Sequence, residues 1–133
     1  MGSDRATSAA LGAIGLLHVW WGIRPRGSST GRATDAVVGS ATPPSRAACF
    51  AVAGLLGIAS AGVAGRPRRP RWISRGIQLG VATTLATRGA FGLAGRTDLL
   101  VPGSTSPTFR RWDRRVYAPL CLALAAGAGR AAR

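Results

Sequence analysis

The chain has 133 residues, a length that suits one domain. Apolar residues make up 47% of it, but Ala and Gly carry much of that share, leaving too little Leu, Ile, Val and Phe for an easy soluble core. The net charge of +14 comes from Arg without Lys, and these Arg residues stand between long uncharged stretches rather than along amphipathic helix faces, which argues against a nucleic-acid partner and for arginines that flank membrane spans.

The first uncharged stretch runs from Ala6 to Ile23 and would extend about 27 Å as a helix, close to the hydrocarbon thickness. It ends at Trp20-Trp21, residues suited to the headgroup boundary. A cleaved signal peptide is the rival reading, but Asp4 and Arg5 make a weak positive region and no small-x-small cleavage site follows. Residues 24–46 read as a loop rich in Arg, Gly, Ser, Thr and Pro, where Pro43-Pro44 bars helix. The second stretch runs from Ala47 to Gly65. Arg66 to Arg71, broken by Pro67 and Pro70, then make a short basic turn.

The third stretch, Trp72 to Gly95, is interrupted by Arg75, which can snorkel, and by the deeper Arg88. Residues 96–115 read as a second loop holding Pro102, Gly103 and Pro107. The last stretch runs from Val116 to Gly129, with Arg114 and Arg115 in its first interfacial turn. No strand alternation persists. The expected fold is an all-α, four-helix transmembrane bundle: one integral membrane domain with spans near 6–23, 47–65, 73–95 and 115–129. Orientation rests on the dense turn Arg66–Arg71, since short loops weigh most, and places both termini in the cytoplasm of a cell membrane.

Such spans are weakly hydrophobic, so helix packing has to compensate. Small residues recur every four positions at Ala53, Gly57, Ala61 and Gly65, and again at Gly76, Gly80, Thr84, Arg88 and Gly92. Stripes of this kind let helix backbones approach. Arg88 on the second stripe turns toward neighbouring helices, where a charge is least costly.

In a four-span hairpin bundle the end of span one, the end of span three and the start of span four share a side. That would gather His18, Arg88, Asp113 and Tyr117 at one leaflet, beside Trp20, Trp21 and Trp112. Asp113, Tyr117, Cys121, Ala125 and Gly129 form an i, i+4 row. The economical pairing is Arg88 with Asp113, because a charge unpaired in hydrocarbon costs several kcal/mol. The candidate site, ligand-binding or structural, is therefore His18, Trp21, Arg88, Asp113, Tyr117 and Cys121. A buried network that fixes register and a substrate or proton site are both open readings.

Cys49 and Cys121 lie in separate apolar stretches and have no metal-ligand spacing. There are no paired carboxylates, no nucleophile with a base and no phosphate-cradling loop. The glycines from Gly89 to Gly95 lie inside a span. No cofactor, no metal and no catalytic residue is expected.

Several short motifs in order carry a family resemblance. His18-Val19-Trp20-Trp21-Gly22 fits an H-x-x-W-G pattern, and Arg88-Gly89 with Phe91 and Gly95 follows. Phe109, Trp112-Asp113 and Tyr117-Ala118-Pro119-Leu120-Cys121-Leu122 complete the set, the stretch from Phe109 to Leu122 being the most specific. Over nearly its whole length the chain resembles the DUF3995 family of small bacterial membrane proteins. The resemblance implies four spans and supplies no activity. This chain departs from the pattern at Ala90, where the family often carries an acid after the Arg-Gly pair, and its loop Asp98–Thr108 is individual.

The functional expectation is a small polytopic membrane protein whose polar cluster is structural or binds an unidentified ligand. A proton-coupled transporter using His18 is one alternative, although the first-span carboxylate of small multidrug exporters is missing. An accessory subunit using its small-residue stripes is another. The expected partners are the lipid bilayer and a second copy or another membrane protein.

Overall fold

The computed structural model describes residues 2–24, 39, 44–65, 70–104 and 106–133. All regular structure among the described residues is helical. Helix α1 is Gly2–Ile23, α2 is Arg46–Val63 and α3 is Arg71–Leu93. A 3-10 turn, Thr97–Leu99, leads to α4, Pro107–Trp112. A π-helical turn, Asp113–Tyr117, continues directly into α5, Ala118–Ala131. Most of the expected loop 24–46 and of the basic turn 66–71 lies outside the described residues.

Local chemistry sets the helix ends. Ser45 caps α2, its hydroxyl accepting from the Ala48 N–H at 3.1 Å. Gly65, at φ +63°, closes that helix in the left-handed region. Gly95 does the same for α3 at φ +68°. There the Gly95 N–H donates to Gly92 O at 3.1 Å and the Arg96 N–H to Phe91 O at 2.9 Å, the paired bonds of a Schellman stop.

The expected loop 96–115 is corrected in its second half. Ser106 caps a helix there, accepting from the Phe109 N–H at 3.4 Å, and Pro107 occupies the first turn, where its missing N–H costs nothing. The last helical rod thus starts at Pro107, well before Val116.

Two helical stretches are long and apolar enough to cross a membrane, Arg5–Ile23 and Arg46–Val63, with mean hydropathies of 1.3 and 1.7. Helix α3 is diluted by Arg75, Gln78 and Arg88, and α5 has only 14 residues.

The chain divides into two compact units, with boundaries inside α3 and α5. The first contains α1, α2, α3 up to Thr84 and α5 from Leu124. Within it α1 and α2 pack on small residues. A Cβ at Gly15 would lie 3.4 Å from Leu56 Cβ and 3.5 Å from Ala53 O, and one at Gly22 would meet the Phe50 ring at 3.0 Å. Ser8 and Ser60 exchange bonds: Ser8 Oγ donates to Ser60 O at 2.9 Å and Ser60 Oγ to Ser8 O at 2.8 Å. Gly127 admits the Thr7 side chain and Gly62 admits Ile77. Gln78 is buried and donates to Gly62 O at 3.2 Å, so a polar side chain on α3 is satisfied by an α2 carbonyl.

The second unit contains α3 from Leu85, the 3-10 turn, α4, the π turn and α5 up to Ala123. A Cβ at Gly89 would lie 2.7 Å from Leu122 Cγ and 3.0 Å from Ala118 O, and one at Gly92 would lie 2.7 Å from Ala118 Cβ. Phe109 is buried against Gly39.

The expected four-residue stripes are only partly the packing surfaces. Nothing lies within 4 Å of a Cβ placed at Gly57, Gly65, Gly76 or Gly80, and Thr84 is exposed, bonding its own helix at Gly80 O. Close approach falls at Gly92, the last residue of the second stripe, and at Gly62, Gly89 and Gly127 outside both stripes. Helices that cross rather than run parallel meet at local points, so a full four-residue stripe need not be used.

Candidate functional site: a buried arginine–aspartate pair at a π turn

Arg88 lies on α3 one turn before Gly92, and Asp113 opens the π turn that follows α4. Arg88 Nη2 donates to Asp113 Oδ1 at 2.7 Å, and Nη1 donates to Oδ2 at 3.3 Å. The geometry is a two-pronged guanidinium–carboxylate pair. Thr97, in the 3-10 turn, donates its hydroxyl to Asp113 Oδ2. Asp113 is 1% exposed and Thr97 is also buried, while the Arg88 side chain keeps 25% of its surface. One carboxylate thereby ties together α3, the turn after it and the final rod.

Glycine makes room for this arrangement. At Gly92 a Cβ would stand 2.8 Å from Arg88 Nη1 and 3.1 Å from Asp113 Oδ2. No side chain larger than glycine fits there without displacing the pair. The π turn is marked by the Ala118 N–H, which donates to Asp113 O five residues back. Tyr117 stacks obliquely on Phe109, with centroids 6.2 Å apart. Cys121 is half-buried, within electrostatic range of both Arg88 and Asp113.

The π turn also corrects the expected row Asp113, Tyr117, Cys121, Ala125 and Gly129. Phe109 and Asp113 are buried before the turn, and Ala118, Leu124, Ala125 and Ala128 after it, while Tyr117, Cys121 and Gly129 are only half-buried. The turn takes one residue more than an α-helix and so detaches Asp113 from the row, while Cys121, Ala125 and Gly129 keep the i, i+4 spacing within α5.

His18 and Trp21 belong to the first unit. His18 Nδ1 lies 2.8 Å from Ile14 O, one turn back. A carbonyl only accepts, so Nδ1 is the donor in this bond. The ring sits 5.7 Å from Trp21, tilted by 60°. Arg24 lies over Trp20 at 3.9 Å from the ring centroid, a cation–π contact at the helix end.

Thr97 is the site residue that the sequence reading missed. It stands in a loop with no helical or strand period, and only its place after the Gly95 stop could have drawn notice. Among the described residues no three His, Cys, Asp or Glu side chains gather as a metal-binding group. The Asp113 carboxylate is held by a cation and a hydroxyl, which makes it a strong tether.

Among the described residues, fold and site together define a small helical protein tied by a buried ion pair. A family model described as a protein of unknown function (DUF3995) matches residues 11–128, and the chain belongs to that family. No curated protein and no solved structure matches the chain.

Proposed function

We propose that this is a multi-pass protein of a bacterial cell membrane in which Arg88, Asp113 and Thr97 form a structural lock that fixes α3 against the final helical rod. The observation that carries this reading is the outward face of the two most apolar helices. Only 28% of the apolar window of α1 and 17% of that of α2 is buried. Leu16 and Leu55 are 71% and 67% exposed, and Ile58, Ile23, Phe50 and Val52 are also open. A helix in the core of a soluble protein hides such side chains, whereas a lipid-facing helix displays them.

In this reading α1, α2, α3 and the rod from Pro107 to Ala131 each cross the bilayer. The 23 residues of α3 extend about 34 Å as a helix, enough for a hydrocarbon core of about 30 Å. Its polar residues are consistent with that path: Gln78 is satisfied by Gly62 O, and Arg88 by Asp113. His18 and Trp21 form the interfacial end of α1. Both termini lie in the cytoplasm, held there by the dense basic turn between α2 and α3.

Two measurements test the proposal. Membranes from cells expressing the chain are washed with alkaline carbonate, and the protein is expected to stay in the pellet. Release into the supernatant would refute membrane insertion. Single cysteines are then placed at Pro102 or Arg71 in a Cys49→Ala, Cys121→Ala background. An impermeant maleimide added to intact cells is expected to label the first and spare the second; the reverse pattern inverts the topology, and labelling of both breaks the four-span reading.

A further inference from the structure

The second unit carries, at the end of α3, a surface that combines exposed cations with exposed apolar side chains. Arg110, Arg111, Arg114 and Arg115 are all exposed. On a helix they form one stripe, at spacings of one, three and four, opposite the buried Phe109 and Asp113. Arg96, after the Gly95 stop, is exposed as well. The Arg114 guanidinium reaches Gly95, so it lies at the C-terminal end of α3 rather than trailing away.

Apolar residues accompany these cations. Leu99 is 56% exposed, and Leu100 and Val101 follow it in the open. Trp112, in the middle of the arginine series, is 50% exposed. The bond from Thr97 to Asp113 joins the 3-10 turn bearing Leu99 to the π turn flanked by the arginines. The two groups are therefore fixed at one end of one unit.

Charge complementarity points to the occupant. Five exposed arginines are opposed by few acids: Asp113 is consumed by Arg88 and Thr97, and Asp98 is half-buried. A soluble polyanion would satisfy the arginines but leave Leu99, Leu100, Val101 and Trp112 in water. A lipid surface satisfies both, with phosphates at the guanidinium groups and the apolar side chains in the upper acyl region. Arginine suits phosphate better than lysine because its planar fork donates two bonds at once.

We infer that residues 96–101 and 110–115 form a binding surface for anionic phospholipid headgroups, which selects those lipids from the bilayer around the protein. The inference rests on the membrane reading above and adds a lipid class and a location to it.

The test uses the full chain in vesicles of phosphatidylcholine with trace spin-labelled phosphatidylglycerol or spin-labelled phosphatidylcholine. The motionally restricted fraction of each label gives their relative association with the protein. Wild type is expected to prefer phosphatidylglycerol by about five-fold, falling as salt is raised. Changing Arg110, Arg111, Arg114 and Arg115 together to Gln should bring the ratio close to one. Changing the same four to Lys, which keeps the charge and guards against a folding artefact, should retain a preference. Changing Arg5, Arg71, Arg130 and Arg133 to Gln removes the same charge elsewhere and should leave the preference intact.

Equal loss in the two Gln variants would mean that net charge alone attracts the lipid, and would overturn the assigned surface. So would a wild-type ratio near one in protein that resists carbonate extraction. Extraction of the wild type by carbonate would instead remove the membrane reading itself, and this inference with it.

Discussion

Removal of Arg88 is the most informative perturbation. Asp113 is 1% exposed, so Arg88→Ala strands a carboxylate that water barely reaches, with the Thr97 hydroxyl as its remaining partner. Breaking a buried pair from one side costs about 3–5 kcal/mol, and the full range applies here because the stranded group is the more buried one. Asp113→Ala strands Arg88 instead. Its side chain keeps 25% of its surface and can turn toward solvent or headgroups, so the expected loss is smaller, about 2–3 kcal/mol. Changing both residues to Ala strands no charge and leaves mainly lost packing and a Thr97 hydroxyl without its carboxylate. The double variant should therefore be more stable than Arg88→Ala alone, with a coupling of about 2 kcal/mol or more. Reversible unfolding in mixed micelles, followed by circular dichroism as denaturing detergent is titrated in, measures all four species. If the two single losses simply add in the double variant, the pair does not act as a lock and the reasoning fails.

Glycine substitutions should split by location in the same unfolding assay. Gly89→Ala forces a methyl against Leu122 and Ala118 O and should destabilise by about 1–3 kcal/mol. Gly80→Ala meets nothing within 4 Å and should stabilise by about 0.5–1 kcal/mol through helix propensity; a loss there would place an unseen neighbour on that face. Thr97→Val keeps shape but withdraws the hydroxyl from Asp113, for an expected loss of about 1–3 kcal/mol, and the loss should largely vanish when Asp113 is already Ala. Ser60→Ala removes the bond from Ser60 Oγ to Ser8 O, leaving the one from Ser8 Oγ to the Ser60 carbonyl, and should cost about 1 kcal/mol, visible as faster amide exchange in α1 and α2.

The helices were legible in the sequence because uncharged runs between arginine clusters leave few other solutions. The Arg88–Asp113 pair was legible for a related reason. A lone cation within an apolar run demands a carboxylate, and the four acids of the chain offered few candidates. The start of the last helix was not legible, because Pro107 and the charges at Arg110, Arg111 and Asp113 resemble a loop. Only Ser106 before Pro107 carries the capping signal. Of the packing glycines, Gly92 was assigned correctly and most others were misassigned for a geometric reason. Regular spacing marks a stripe, whereas close approach depends on where two helices cross. His18 drew attention as the single histidine, and its bond to Ile14 O is a local one that any helical histidine can make.

The wide turn from Asp113 to Tyr117 works as a phase corrector. Asp113 and Ala118, both buried against Gly92, would stand about 140° apart on an α-helix at 100° per residue, and the surplus residue of the turn brings them to one face. Shortening the chain there by a single residue, for instance by deleting Val116, would regularise the helix and swing Ala118 away from Gly92. Length in this segment is therefore more tightly constrained than side-chain identity, and relatives that lose or gain a residue here must shift their small-residue pattern downstream to match.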